Sequence, residues 1–61
     1  IARRSIVTLD DIDIGETLTE NNIGLRRPGT GLLPKMFELI LGKKATKKIE
    51  KFTILCDEDF A

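Results

Sequence analysis

Histidine, tryptophan and tryptophan's neighbour in size, tyrosine, are absent from this chain of 61 residues, and cysteine occurs once. Without histidine the commonest general base and the commonest zinc ligand are missing. A single cysteine, Cys56, cannot close an internal disulfide. Small extracellular domains usually depend on such bridges, so the expectation is a reducing, cytoplasmic setting. No apolar run approaches the roughly 18 residues of a membrane span, and nothing reads as a signal peptide. Ten basic residues balance ten acidic ones, so no charge excess draws the domain to nucleic acid or to a membrane. The chain begins at Ile1 instead of methionine, with residues that already look like a strand. It is expected to be a piece of a longer protein.

What remains is enough for a single domain spanning residues 1–61. A chain of this length buries only about 60% of its unfolded surface, so its core is thin and its stability marginal. The charges are balanced but segregated. Asp10, Asp11, Asp13, Glu16 and Glu20 form an acidic stretch, and Lys43, Lys44, Lys47, Lys48 and Lys51 a basic one.

The chain also repeats itself, which is the first thing to seek in a short sequence. Residues 5–23, SIVTLDDIDIGETLTENNI, align with residues 42–60, GKKATKKIEKFTILCDEDF, at a constant offset of 37. Ile12 meets Ile49, Leu18 meets Leu55 and Ile23 meets Phe60. Asp13 falls on Glu50, and Asn21-Asn22 on Glu58-Asp59. Each half reads as a short strand, a turn at or before Gly15 or Phe52, a second short strand, and an acidic or amidic turn closed by a hydrophobe. Thr19 and Cys56 open the final turns, where Thr19 suits an N-cap with Asn22 three residues on. The pattern predicts a pseudo-twofold β fold with strands of three to four residues. The expected core is Ile6, Ile12, Leu18, Ile23, Phe37, Ile40, Ile49, Leu55 and Phe60.

Between the halves lies IGLRRPGTGLLPKMFELILGKK, residues 23–44. Ile23 to Arg26 reads as a strand, and Arg27-Pro28 forces extended or turn backbone. Gly29 and Gly31 offer positions where a positive φ costs nothing. Pro34 suits the first position of a helix, Leu33, Met36, Phe37 and Ile40 recur at helical spacing, and Gly42 is placed to end it. About two turns of helix are expected to cap the core.

Few motifs carry chemistry. Gly29-Thr30-Gly31 fails as a phosphate loop, since Pro34 stands where a second glycine is required, and the dinucleotide fingerprint fails at the same residue. KKATKKIEK has no aromatic residues to stack on bases and reads as a solvated strand face. Cys56 has no histidine to activate it and fits a small, half-buried slot in the repeat. The acidic pairs could chelate a hard cation, but turn-forming roles explain them more cheaply. The arginines stand apart. Arg3 and Arg4 precede the first strand, and Arg26-Arg27 precede the glycine loop. Their planar forks suit oxygen acceptors, while their stems equally suit covering apolar neighbours.

Taken in order, RRSIV, DIDIGETLTENNI, RRPGTG and LGKKA resemble the C-terminal antifreeze-like (SAF) domain of the N-acetylneuraminate (sialic acid) synthases over nearly the whole chain. The legionaminate and pseudaminate synthases share this domain, so the family is better specified than the sugar. The resemblance implies a mostly β fold, the β-clip of type III fish antifreeze proteins, with a pseudo-twofold, short strands, 3₁₀ turns and one short helix. The family usually has glycine where this chain has Phe52, so that turn is expected to be reshaped.

The resemblance further implies an absent N-terminal TIM barrel holding a divalent metal (Mn or Mg), phosphoenolpyruvate and an N-acetylhexosamine such as N-acetylmannosamine. There, water attacks phosphoenolpyruvate as its C3 joins the sugar aldehyde, and phosphate leaves. The SAF domain lies over the barrel of the partner subunit in a swapped homodimer, and an arginine near its start reaches the acyl amide of the sugar. The matching residue is Arg4, with Arg3 as the fallback. No catalytic group, metal ligand or cofactor site is expected within the 61 residues, nor activity from them alone. Two other classes compete. An ice-binding module is disfavoured by the charges of Asp10, Asp13 and Glu16. A SAF binding module of a sugar-acid dehydratase or of a flagellar or pilus assembly factor is disfavoured by RRPGTG and LGKKA.

Overall fold

The structure is a computed structural model that describes residues 4–27 and 29–61. Strand β1 spans Ser5–Thr8 and strand β2 spans Ile23–Arg26. They pair antiparallel, with Ser5 opposite Arg26, Ile6 opposite Leu25, Val7 opposite Gly24 and Thr8 opposite Ile23. On its other edge β1 meets the segment around Ile54, through a bridge at Val7 and bonds from Thr8 N to Thr53 O (2.9 Å) and Leu55 N to Ile6 O (2.9 Å). With neighbours on both edges, all four residues of β1 are buried.

The predicted twofold repeat is written into the hydrogen bonds. Ile12 and Ile49, equivalent in the alignment, pair with one another: each N–H donates to the other's carbonyl at 2.8 Å. The remaining bonds come in matched sets. Gly15 N donates to Ala45 O (2.8 Å) as Phe52 N donates to Thr8 O (2.9 Å), and Leu18 N donates to Lys43 O (2.8 Å) as Leu55 N does to Ile6 O. The bridges follow suit, Thr17 with Lys44 matching Val7 with Ile54. Apart from β1 and β2, the strand pairings expected from the sequence shrink to such single bridges. The chain turns again before a second rung can form.

The core is the cluster of Ile6, Ile12, Leu18, Ile23, Ile40, Ala45, Ile49 and Leu55. Phe37 and Phe60, expected inside, are only half-buried and pack against its rim. A core this thin cannot enclose a whole ring, so the aromatic side chains cover it from outside. A 3₁₀ turn at Pro34–Met36 runs into helix α1, Phe37–Ile40, which presents Ile40 to the core. Gly42 then ends the helical stretch at φ +92°, where a Cβ would be strained.

Phe52 takes φ +63°, the left-handed conformation that its counterpart Gly15 takes at +82°. The turn is therefore not reshaped, as the matched bonds of these two residues also show; the phenylalanine is forced into the shape a glycine would adopt freely. For a residue with a Cβ this costs about 1–2 kcal/mol. Its ring is mostly exposed, with Lys51 Nζ 5.0 Å from the centroid, so little packing is at stake. Phe52→Gly is expected to stabilise the domain by about 0.5–1 kcal/mol after the entropy of the freer unfolded chain is charged against it. A thermal melt checks this, and an unchanged or lower midpoint would show that the ring is worth more than its backbone costs.

Candidate functional site at the head of the first strand

Arg4 stands immediately before β1 with its side chain exposed. The next residue is the opposite: Ser5 is fully buried, and its Oγ accepts a hydrogen bond from Gly31 N at 2.9 Å. That bond ties the glycine loop back onto the start of β1. The loop passes so close to the facing segment that a Cβ on Gly31 would lie 2.4 Å from Ile54 Cγ2 and 3.3 Å from Leu55 O. Close approach is thus what Gly31 supplies, where the sequence suggested a positive φ. No local pattern announces the Ser5–Gly31 anchor, because its partners lie 26 residues apart.

The same end of the hairpin carries Arg26 and Arg27, both exposed. Arg26 turns its Nη1 onto the carbonyl of Leu25 (2.7 Å). Neither these two nor Arg4 makes an ion pair with a carboxylate among the described residues; the pair present there is Lys47 Nζ with Asp59 Oδ1, at 3.1 Å. Three cationic forks therefore gather without a counter-charge at one edge of a chain that is neutral as a whole. Arg3 and Pro28 lie outside the described residues.

The other candidates resolve into structural roles. Asp10 Oδ1 accepts from Asp11 N (2.9 Å), and Asp11 Oδ1 from Lys51 N (2.9 Å), so this acidic pair shapes a turn and fastens it across the repeat. Among the described residues no group of three His, Cys, Asp or Glu could hold a metal ion. Lys43, Lys44, Lys47, Lys48 and Lys51 are all exposed while Ala45 and Ile49 between them are buried, so the lysines are solvated as expected. They lie on irregular backbone, bends, a turn and a single bridge, and not on the expected strand. Cys56 corrects an expectation: it is exposed and not half-buried. It opens the 3₁₀ turn Asp57–Asp59, and its backbone is held there by bonds of N to Asp59 Oδ2 (2.9 Å) and of O from Asp59 N (3.0 Å), leaving the thiol outside.

Asp59 in turn holds the Lys47 ammonium above the ordinary lysine value, first by hydrogen bonding and then by charge. A raised lysine contributes stability below its unfolded value near 10.5 and loses it as pH climbs through the folded one. The ammonium end is open to solvent, which screens the pair, so it contributes little. A cavity of about 350 Å³ opens beside it, lined in part by Lys47, Lys48, Thr53 and Cys56, and no arginine among the described residues lines it. No helix among the described residues is long and apolar enough to cross a membrane.

The described residues form a mostly irregular β domain of paired half-units with Arg4 immediately before its first strand, and residues 3–61 match the SAF domain family. The chain belongs to that family. It is 48% identical over 56 residues to the pseudaminic acid synthase of Helicobacter pylori, covering 92% of this chain and 16% of that protein. A pseudaminic acid synthase of Campylobacter jejuni is 44% identical over 57 residues, with 93% and 17% covered. The N,N'-diacetyllegionaminic acid synthase of Campylobacter jejuni is 39% identical over 51 residues, with 84% and 15% covered. The chain thus spans about one sixth of the length of these relatives.

Proposed function

We propose that the chain is the SAF domain of a nonulosonic acid synthase of the pseudaminate or legionaminate type. It closes over the TIM barrel of the partner subunit in a swapped homodimer, and Arg4 donates from its guanidinium to an acyl oxygen of the bound N-acetylhexosamine. The N-acetylneuraminate synthases would use the same placement, but the names of the relatives favour the first two sugars. The matched bonding of positions 37 residues apart supports a β-clip. Phosphoenolpyruvate and the divalent cation are assigned to the barrel in the remainder of the parent, which is placed in the cytoplasm.

The observation that carries this role is Arg4 itself. It is an exposed guanidinium with no carboxylate partner among the described residues, on a backbone fixed by the buried Ser5. An anchored stem and a free fork suit a donor that must meet its acceptor only when two surfaces close.

In the full-length parent, Arg4→Ala is expected to lower kcat/KM for the sugar by about one to two decades, the worth of one charge-assisted hydrogen bond in a closed site. The KM for phosphoenolpyruvate should hardly move, and Arg4→Lys should recover little, since an ammonium lacks the planar fork. Heterodimers of Arg4→Ala subunits with barrel-inactivated subunits test the swap. One competent site per heterodimer is expected if the arginine acts across the interface. No recovered activity in verified heterodimers, or a loss centred on phosphoenolpyruvate, would show that Arg4 is an ordinary surface arginine.

A further inference from the structure

Among the described residues, Phe52 alone takes a positive φ without being glycine. The turn that holds it there is fastened along its whole length. Lys51 N donates to Asp11 Oδ1, Phe52 N to Thr8 O and Thr53 N to Thr8 Oγ1, each at 2.9 Å. Glu50 O in turn accepts from Thr8 Oγ1 (2.7 Å) and from Thr53 Oγ1 (2.6 Å). Thr8 is fully buried, so the turn is fixed to the core and its backbone cannot swing to relieve the strain. The ring it carries is nevertheless mostly exposed, and among the described residues it gains the Lys51 ammonium in return. Strained residues of this kind gather at active sites and ligand clamps. A rigidly held, exposed ring is also the form of an interface anchor, because little freedom is lost when it is covered.

The charges around the ring indicate what covers it. The acidic stretch of the first half and the lysine stretch of the second meet at this turn, through Asp11 and Lys51. Lys51 contributes an ammonium, and Asp10, Asp11 and Glu50 contribute carboxylates; all four residues are exposed. None of them makes an ion pair among the described residues. An acidic partner would be repelled by the carboxylates, and a basic one by the ammonium. A surface of both signs around one apolar anchor is complementary to a copy of itself, as an isologous twofold contact requires. We propose that the Phe52 turn is a homotypic contact in the parent: two copies of this domain meet ring against ring, with the Lys51 ammonium of each offered to the carboxylates of the other. Aromatic pairing at the centre and charge pairing at the rim follow the usual anatomy of a protein interface. One turn buries well under the roughly 1,000 Å² of a stable interface, so the contact is weak unless the copies are already held in one assembly. It therefore rests on the homodimer proposed above. It does not rest on Arg4, which lies before Ser5, whereas the turn bonds to Thr8 at the other end of β1.

The test uses the full-length parent synthase carrying Phe52→benzoylphenylalanine, which keeps an aromatic side chain at the turn and cross-links what it touches on irradiation. A covalent dimer on a denaturing gel reports a link between copies, and mass spectrometry locates the acceptor. The acceptor is expected within residues 8–11 or 50–53 of the second copy. Adding Lys51→Glu should lower the linked fraction at least about fivefold, because it sets like charges against one another, and Lys51→Arg should preserve it. Lys51 is exposed, so thermal midpoints of these variants should agree, and a merely structural role would not change the linked fraction. A link to the barrel, a link within one subunit, or no link while sedimentation shows an intact dimer overturns the homotypic contact and leaves the proposed function standing. A monomeric parent overturns the contact and the homodimer together.

Discussion

Leu55→Ala is expected to bring the domain close to its unfolding midpoint at room temperature, and Leu18→Ala to do the same. Both side chains are fully buried, they occupy equivalent positions in the two halves, and their amides bond across the repeat to Ile6 and Lys43. Truncating a buried leucine costs about 2–5 kcal/mol, comprising the lost transfer free energy and the cavity left behind. A small domain has about 5 kcal/mol or little more in hand, so either change consumes much of it. Leu39→Ala provides the contrast. Leu39 is 68% exposed on α1, and its loss should stay within about 0.5 kcal/mol. Denaturant melts of the three variants check the ranking. Wild-type-like midpoints for Leu18→Ala and Leu55→Ala would remove the repeat-based core.

A second large effect is expected at Asp59, and its sign depends on the replacement. Asp59 is 5% exposed, and its Oδ2 accepts the N–H of Cys56. Its counterpart in the first half, Asn22, is 8% exposed, and its Oδ1 accepts the N–H of Thr19 at 2.7 Å. Carboxylate and carboxamide thus perform the same backbone-capping task in the two halves. Asp59→Ala leaves the Cys56 amide without its acceptor beside a new void, at a cost of about 1–3 kcal/mol for the stranded donor. Asp59→Asn retains an acceptor oxygen of the same reach and gives up only the ion pair with the exposed Lys47 ammonium, which solvent screens. Alanine should therefore lower the melting midpoint by several times the asparagine effect. Equal losses from the two would mean that the charge, and not the acceptor, holds the final turn.

The exchange of Asn22 for Asp59 explains why so much was legible in so short a chain. A duplicated half-unit exposes its constraints twice, and a position apolar in both copies, such as Leu18 and Leu55, identifies a core site more strongly than either copy alone. The same reasoning misjudged Cys56. Its counterpart Thr19 is half-buried, but the thiol is outside, because the backbone of that residue is what the turn needs. It also expected Phe37 and Phe60 to be enclosed, where volume decides and pattern does not.

At the candidate site, the sequence identified the arginines and left the roles of Arg26 and Arg27 unresolved. The structure separates them: Arg26 closes β2 opposite Ser5 and turns onto the Leu25 carbonyl, Arg27 follows in a bend, and that pairing joins segments distant along the chain.

By itself, the sequence determined the repeat, most of the core, the helical stretch ended by Gly42 and the resemblance to the SAF family. These follow from periodicity and local chemistry, which act within a few residues or recur at a constant offset. Only the tertiary structure decided that Gly31 must pass against Ile54, that Ser5 anchors the loop, that Phe52 bears a glycine's conformation and that Ser5 stands opposite Arg26. Each of these depends on how two segments far apart in the chain are brought together. Such contacts are set by the sum of all the packing and not by the residues on either side of any one of them.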